Sequence, residues 1–228
     1  AGAARHLSPM IDSITLDNVL PRAFAGMEND EPVKSSEVWL KRISFSRPGF
    51  YMVEAESGAG KSSMCSFIYG SRGDYSGDIL FDGRSVRQID TDEWCRLRQR
   101  AIAYLPQELM LFPELTVMDN IEIKNRLTRH KSERWILETL AALGIEKKAA
   151  VPAGQLSVGQ QQRVAIVRTL CQPFNFLLLD EPVSHLDERN NAAVARIIEA
   201  EARENHAAVI ATSVGNKIQL PFTTTVCL

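Results

Sequence analysis

The sequence predicts an α/β fold built on a largely parallel sheet covered on both faces, and three observations predict it. Apolar stretches of strand length alternate with helical stretches along the chain. Phe174 to Leu179 is an apolar run of strand length, as a strand buried on both faces requires. A short apolar strand, Phe50 to Ala55, feeds directly into a glycine-rich loop and then a helix.

Composition sets the bounds. A chain of 228 residues, 45% hydrophobic and 24% charged, is long enough to bury a core and has ordinary globular chemistry. The formal net charge is only -2, and no basic stripe interleaves with aromatics, so nucleic acid is not expected as a direct partner. Cys65, Cys95, Cys171 and Cys227 show no C-x-x-C spacing and read as reduced thiols. No apolar run approaches the roughly 18 residues that a membrane span needs. The opening AGAARHLSPM lacks an apolar signal core and reads as a lead-in to a start at Met10.

Taken in order, Ile11 to Ser36 reads as a strand or two with loops. Val38 to Phe45 carries Val38, Trp39, Leu40, Ile43 and Phe45, which suits a strand; Arg47-Pro48-Gly49 then turns the chain. After the strand at Phe50 to Ala55, Ser62 onward reads as a helix. Gly77 to Gly83 is a strand closed by a turn, and Ala101 to Leu105 another strand ending at Pro106-Gln107. Ser132 to Leu143 places Trp135, Ile136, Leu140 and Leu143 on one helical face, with Gly144 as the stop. Glu188 to Asn205 reads as a helix and Ala207 to Thr212 as a further buried strand.

Residues 55 to 62, AESGAGKS, nearly match the phosphate-cradling pattern G-x-x-x-x-G-K-[ST]. Backbone N–H groups converge on a phosphate only where no side chain blocks the approach, which gives Gly58 and Gly60 their meaning. Lys61 supplies a point charge, Ser62 a hydroxyl for Mg²⁺, and the helix its positive dipole end. Ala55 stands where the pattern has glycine. A positive φ there would cost about 1–2 kcal/mol; otherwise the methyl group costs almost nothing. A glycine-rich turn before a helix is the plainer alternative.

A second half follows downstream. LSVGQQQRVAIVRTL (156 to 170) contains an S-x-x-Q capping box, Ser157 with Gln160, at the start of a helix. A capping box does not explain Gly159. The apolar run after it ends in Asp180-Glu181, which fits a Mg²⁺-binding aspartate followed by a water-activating glutamate, and also fits a turn.

In this order and spacing, from about Val38 to about Thr212, the segments resemble the ATP-binding subunit of an ABC transporter. AESGAGKS stands as Walker A, Gln107 in YLPQ as the Q-loop and LSVGQ as the signature. FLLLDEP stands as Walker B with the catalytic glutamate, and SHLD (Ser184 to Asp187) as the D-loop.

The resemblance implies a P-loop NTPase: a RecA-like core with an antiparallel β-subdomain and an inserted helical subdomain. The whole chain, 1–228, would be one domain, with the core at about 11–107 and 157–228 and the helical subdomain at about 108–156. ATP and Mg²⁺ are the implied cofactors. Ala55, Glu56, Ser57, Gly58, Ala59, Gly60, Lys61, Ser62 and Ser63 would surround the ATP phosphates, and Ser62, Gln107 and Asp180 the Mg²⁺. Glu181 would polarise the attacking water. The signature is Leu156, Ser157, Val158, Gly159 and Gln160; its Ser157, Gly159 and Gln160 would reach the γ-phosphate from across a head-to-tail dimer. Asp187 would couple the two sites. The implied partners are transmembrane permease subunits and a second ATP-binding subunit, identical or different, at the cytoplasmic face of a membrane. The segment Glu108 to Ile121 would line the groove that receives the membrane subunit.

Three departures stand out. Ala55 and Val158 are mild. Ser213, in AVIATSVGN, occupies the position where the family carries a histidine that contacts the γ-phosphate. Serine has no positive charge and a shorter reach, so slow or partner-dependent hydrolysis is expected, with Ser213 as a candidate catalytic position. An adenine-stacking aromatic is expected near Val33 to Ser36, where none occurs; Trp39 and Tyr51 are the nearest and read as strand core. A soluble ABC ATPase outside transport, such as one in iron–sulfur assembly, and a regulatory nucleotide-binding subunit are the alternatives.

Overall fold

The computed structural model describes residues 10–228, so the reading of a lead-in ahead of Met10 lies outside the described residues. The first half of the chain forms β1 (Ser13–Pro21), β2 (Arg42–Ser46), β3 (Gly49–Glu54), α1 (Lys61–Ile68), β4 (Tyr75–Phe81), β5 (Arg84–Ser85) and α2 (Thr91–Arg100). Then come β6 (Ile102–Leu105), α3 (Val117–Asn125), α4 (Glu133–Ala142), α5 (Val158–Leu170), β7 (Phe176–Asp180), α6 (Glu188–Glu204), β8 (Ala208–Ser213) and β9 (Thr224–Cys227).

Five strands in the order β6-β7-β8-β3-β9 make the expected parallel sheet. Strand β7 explains why its sequence is apolar without alternation. Leu177 and Leu179 face a core shared with α5 and α6, whereas Phe176 and Leu178 face a second core shared with α1 and the other sheet. Both faces are dry, so both sets of alternate positions must be apolar. The second sheet, β2-β1-β4-β5, is antiparallel throughout and packs its inward residues Ile14, Leu16, Phe45, Ile79 and Phe81 into that second core.

Between β6 and α5 lies a helical segment. Thr116 caps α3 by accepting the Asp119 N–H at 3.0 Å, and Ser132 caps α4 by accepting the Trp135 N–H at 3.1 Å. Ile136, Leu140 and Leu143 are buried as their helical spacing predicts, with Trp135 packed partly against them. Gly144 ends the helix at φ +66°.

One expected strand is corrected. Val38 to Lys41 is a turn, and β2 begins only at Arg42. Ser36 Oγ accepts the N–H groups of both Val38 and Trp39, and Leu40 adopts a positive φ of 57°, so the chain cannot run extended there. Trp39 is accordingly not a strand residue. Its indole is fully buried, and its Nε1–H donates to the carbonyl of Ala59, bracing the glycine-rich loop from behind. Tyr51 does lie on a strand, β3, and its hydroxyl closes the turn at Ser46.

Candidate active site

The glycine-rich loop joins β3 to α1 at the carboxyl end of the parallel sheet, where strand ends leave an open crevice. Gly58 and Gly60 take φ of +88° and +99°, a region that side chains disfavour, so both glycines are required by the backbone path. Ala55 is not among the residues with positive φ; its methyl group carries no backbone strain. Its N–H donates to the carbonyl of Ser213, fastening the loop to β8.

Lys61, the first residue of α1, is buried, and its Nζ donates to the carbonyls of Glu56 at 2.9 Å and Ala55 at 3.3 Å. Burial lowers the Lys61 pKa, and the carboxylates of Glu181 and Asp180 pull it back upward. Glu181 Oε1 stands 3.9 Å from the ammonium. Three of the sequence-predicted residues, one from α1 and two from the end of β7, are therefore gathered at one point. Ser62 and Gln107 meet at 3.5 Å on the exposed side. Ser63 Oγ accepts from Arg72.

Asp180 is 1% exposed. Its Oδ1 accepts from Thr212 Oγ1 at 2.8 Å, while its Oδ2 has no hydrogen-bond partner among the described residues. A buried carboxylate oxygen without a donor fits a hard cation, and a hydroxyl, an amide oxygen and a carboxylate are the donor set Mg²⁺ prefers. Ser62, Gln107 and Asp180 are thus chemically suited to hold it.

The signature residues stand at the start of α5. Ser157 and Gln160 form the predicted capping box at the start of α5, with reciprocal bonds of 3.0 and 3.3 Å. Val158 projects outward at 51% exposure, Leu156 is buried, and Gly159 packs so closely that a Cβ would lie 2.8 Å from the carbonyl oxygen of His185. That contact is what the glycine is for. Asp187 caps α6, accepting the Asn190 N–H at 2.8 Å. Ser213 is buried, and its hydroxyl serves its own turn, donating to the Asn216 carbonyl and accepting the Gly215 N–H, both at 3.1 Å.

Residues 49–184 match the family model described as ABC transporter. The chain belongs to the ABC transporter family. Among ABC relatives, the ABC transporter ATP-binding protein YtrE of Bacillus subtilis is 32% identical over 200 residues, covering 86% of this chain and 84% of that protein. The macrolide export ATP-binding/permease protein MacB of Marinobacter nauticus is 32% identical over 173 residues, covering 72% of this chain and 26% of that much longer protein. The ABC fold is shared with the ATP-binding cassette MJ0796, solved as a dimer in a post-hydrolysis state bound to ADP and Pi. The TM-score is 0.70 at 24% identity, over 89% of this chain and 88% of that one.

Three residues of this ABC chain that bear on the site were missed from sequence. Thr212 stands between the two acids, Gln162 follows the signature on α5, and Phe24 lies on a 3-10 turn after β1 with its ring edge 3.2 Å from where a Cβ on Gly60 would be. A threonine one residue before Ser213 and a third glutamine in GQQQ were visible but had no assigned work. Phe24 was hidden by the long segment separating it from the loop.

Proposed function

We propose that this chain binds ATP with Mg²⁺ and hydrolyses it to power a membrane transporter. The observation that carries the reading is the convergence of Lys61, Asp180 and Glu181 beside a loop whose Gly58 and Gly60 take the positive φ that a phosphate cradle requires. The loop N–H groups and the α1 dipole hold the phosphates, Lys61 adds its charge, and Phe24, whose ring edge lies beside Gly60, is the aromatic proposed to meet the adenine. Ser62, Gln107 and Asp180 would hold Mg²⁺, which would supply positive charge to the phosphates. Glu181 accepts a hydrogen bond from a water, which attacks the γ-phosphorus as the bond to the β-phosphate oxygen breaks. The water's proton passes to Glu181 and on to the products, ADP and phosphate.

A second cassette, of the same or a different sequence, completes the site. Ser157, Gly159 and Gln160, at the start of α5, serve the γ-phosphate bound by the other cassette, with Asp187 at the junction. Residues 108–156 act as the helical subdomain, which ends where the signature begins. Between it and the core runs a groove of about 410 Å³ lined by Tyr69, Tyr104, Pro106, Glu108, Met110 and Lys124, the docking place for a transmembrane permease subunit. No helix among the described residues is long and apolar enough to cross a membrane; the proposed permease partner places the chain at the membrane's cytoplasmic face.

Hydrolysis is slow without the partner, because Ser213 stands in the switch position with its hydroxyl engaged in its own turn. Steady-state phosphate release from the purified chain tests this. A basal kcat well below the common enzyme value of about 10 s⁻¹, rising when the permease subunits are added, is expected. A basal rate at that value overturns the slow-hydrolysis reading.

A further inference from the structure

Gln162 has no place among the nucleotide contacts proposed above, yet it is 1% exposed and its whole amide is engaged. Its Nε2 donates to the backbone carbonyl of Glu181 at 3.1 Å and to Ser184 Oγ at 3.3 Å, while its Oε1 accepts the His185 N–H at 3.1 Å. These partners fix the orientation of the amide, since a carbonyl only accepts and a backbone N–H only donates. One side chain on α5 thereby clamps both ends of the segment from Glu181 to His185.

The clamp acts where the backbone most needs one. Glu181 has a φ of +50°, a left-handed conformation that costs a non-glycine residue about 1–2 kcal/mol and persists only where the surroundings enforce it. Thr212 holds its N–H at 3.2 Å and Gln162 holds its carbonyl. Gly159, three residues earlier on α5, lies against the same segment, with no room for a Cβ beside the His185 oxygen. The signature turn and the Glu181 backbone are therefore parts of one packed unit.

We propose that Gln162 is a positioning residue that keeps the Glu181 carboxylate aligned with the attacking water and ties that alignment to the seating of the signature turn. The proposal rests on Glu181 being the water-activating group. Lys61, Gly58 and Gly60 belong to other elements, so ATP affinity does not depend on the clamp.

Two variants test it. Gln162→Met keeps the length without any polar atom, and Gln162→Glu keeps the acceptor for His185 but loses the donor to Glu181. Both are compared with wild type and in a Glu181→Gln background for ATP Kd and for kcat at saturating Mg·ATP. Each variant should bind ATP within about twofold of wild type and lose about 10- to 100-fold in kcat, the scale of a small misplacement. In the Glu181→Gln background each should add less than about a twofold loss, because groups that act as a unit are not additive. An unchanged kcat, an equal further loss in the Glu181→Gln background, or a parallel loss of ATP affinity would overturn the proposal. Failure of both variants to fold would assign Gln162 a structural role and overturn it too. If Glu181→Gln itself leaves kcat unchanged, the underlying reading of Glu181 fails, a result distinct from all of these.

Discussion

Thr212 donates its hydroxyl hydrogen to Asp180 Oδ1 at 2.8 Å, directly across the register of β8 and β7. Thr212 Oγ1 also accepts the N–H of Glu181 at 3.2 Å, so one buried hydroxyl orients both acids at the end of β7. Thr212→Val keeps the shape and removes the bonds, leaving a carboxylate oxygen and an N–H unpaired. Urea unfolding should show a loss of about 1–3 kcal/mol. Turnover should need several-fold more Mg²⁺ for half-saturation, because Asp180 then lacks its fixed orientation.

Phe24 is the aromatic the sequence did not place. Its ring edge lies against Gly60, the glycine that immediately precedes α1 in the phosphate loop. Base stacking on an aromatic contributes about 1–3 kcal/mol, so Phe24→Ala should raise the ATP Kd by roughly 5- to 150-fold. Phe24→Trp should restore it, as a titration with a fluorescent ATP analogue would read.

Ser213→Ala should change kcat by less than about threefold, since the hydroxyl bonds its own turn and a neutral hydrogen bond contributes only about 1 kcal/mol. Stability should fall by a similar small amount. A large loss of turnover with an unchanged melting temperature would give the hydroxyl a direct catalytic role instead.

Lys124 offers a pH test. Burial in the groove, with Arg168 nearby, lowers its pKa to about 8 from the ordinary 10.5. A cation whose folded pKa lies below its unfolded value binds fewer protons when folded, so its contribution to stability rises with pH between about 8 and 10.5. Lys124→Met should therefore stabilise the protein most at pH 7.5 and progressively less towards pH 10. Urea midpoints of the two proteins across that range check the sign.

Much of the fold was legible because its signals are local. β7 reads as a doubly buried strand since both of its faces are dry, and the Ser157–Gln160 box fixes the start of α5. Where tertiary contacts decide, the reading failed. Trp39 has strand-like neighbours but is turned inward by Ser36 to brace Ala59, and α2 escaped notice because only Leu97 of its ten residues is buried. Among the described residues β9 pairs only with β3, at the sheet edge, and it leaves most of its side chains in solvent. Within the site, the residues proposed to hold the phosphates and Mg²⁺ were readable by type and spacing, whereas Phe24 was not. Thr212 and Gln162, which act on other residues of the chain, have no such signature and needed the fold to reveal them.

The most direct test of the central claim is phosphate release from saturating Mg·ATP by the wild-type chain and by Glu181→Gln. The account predicts measurable turnover for the wild type and a loss of about 100-fold or more in the variant, the scale of a general base, with ATP affinity retained. Equal turnover by the two proteins would contradict it.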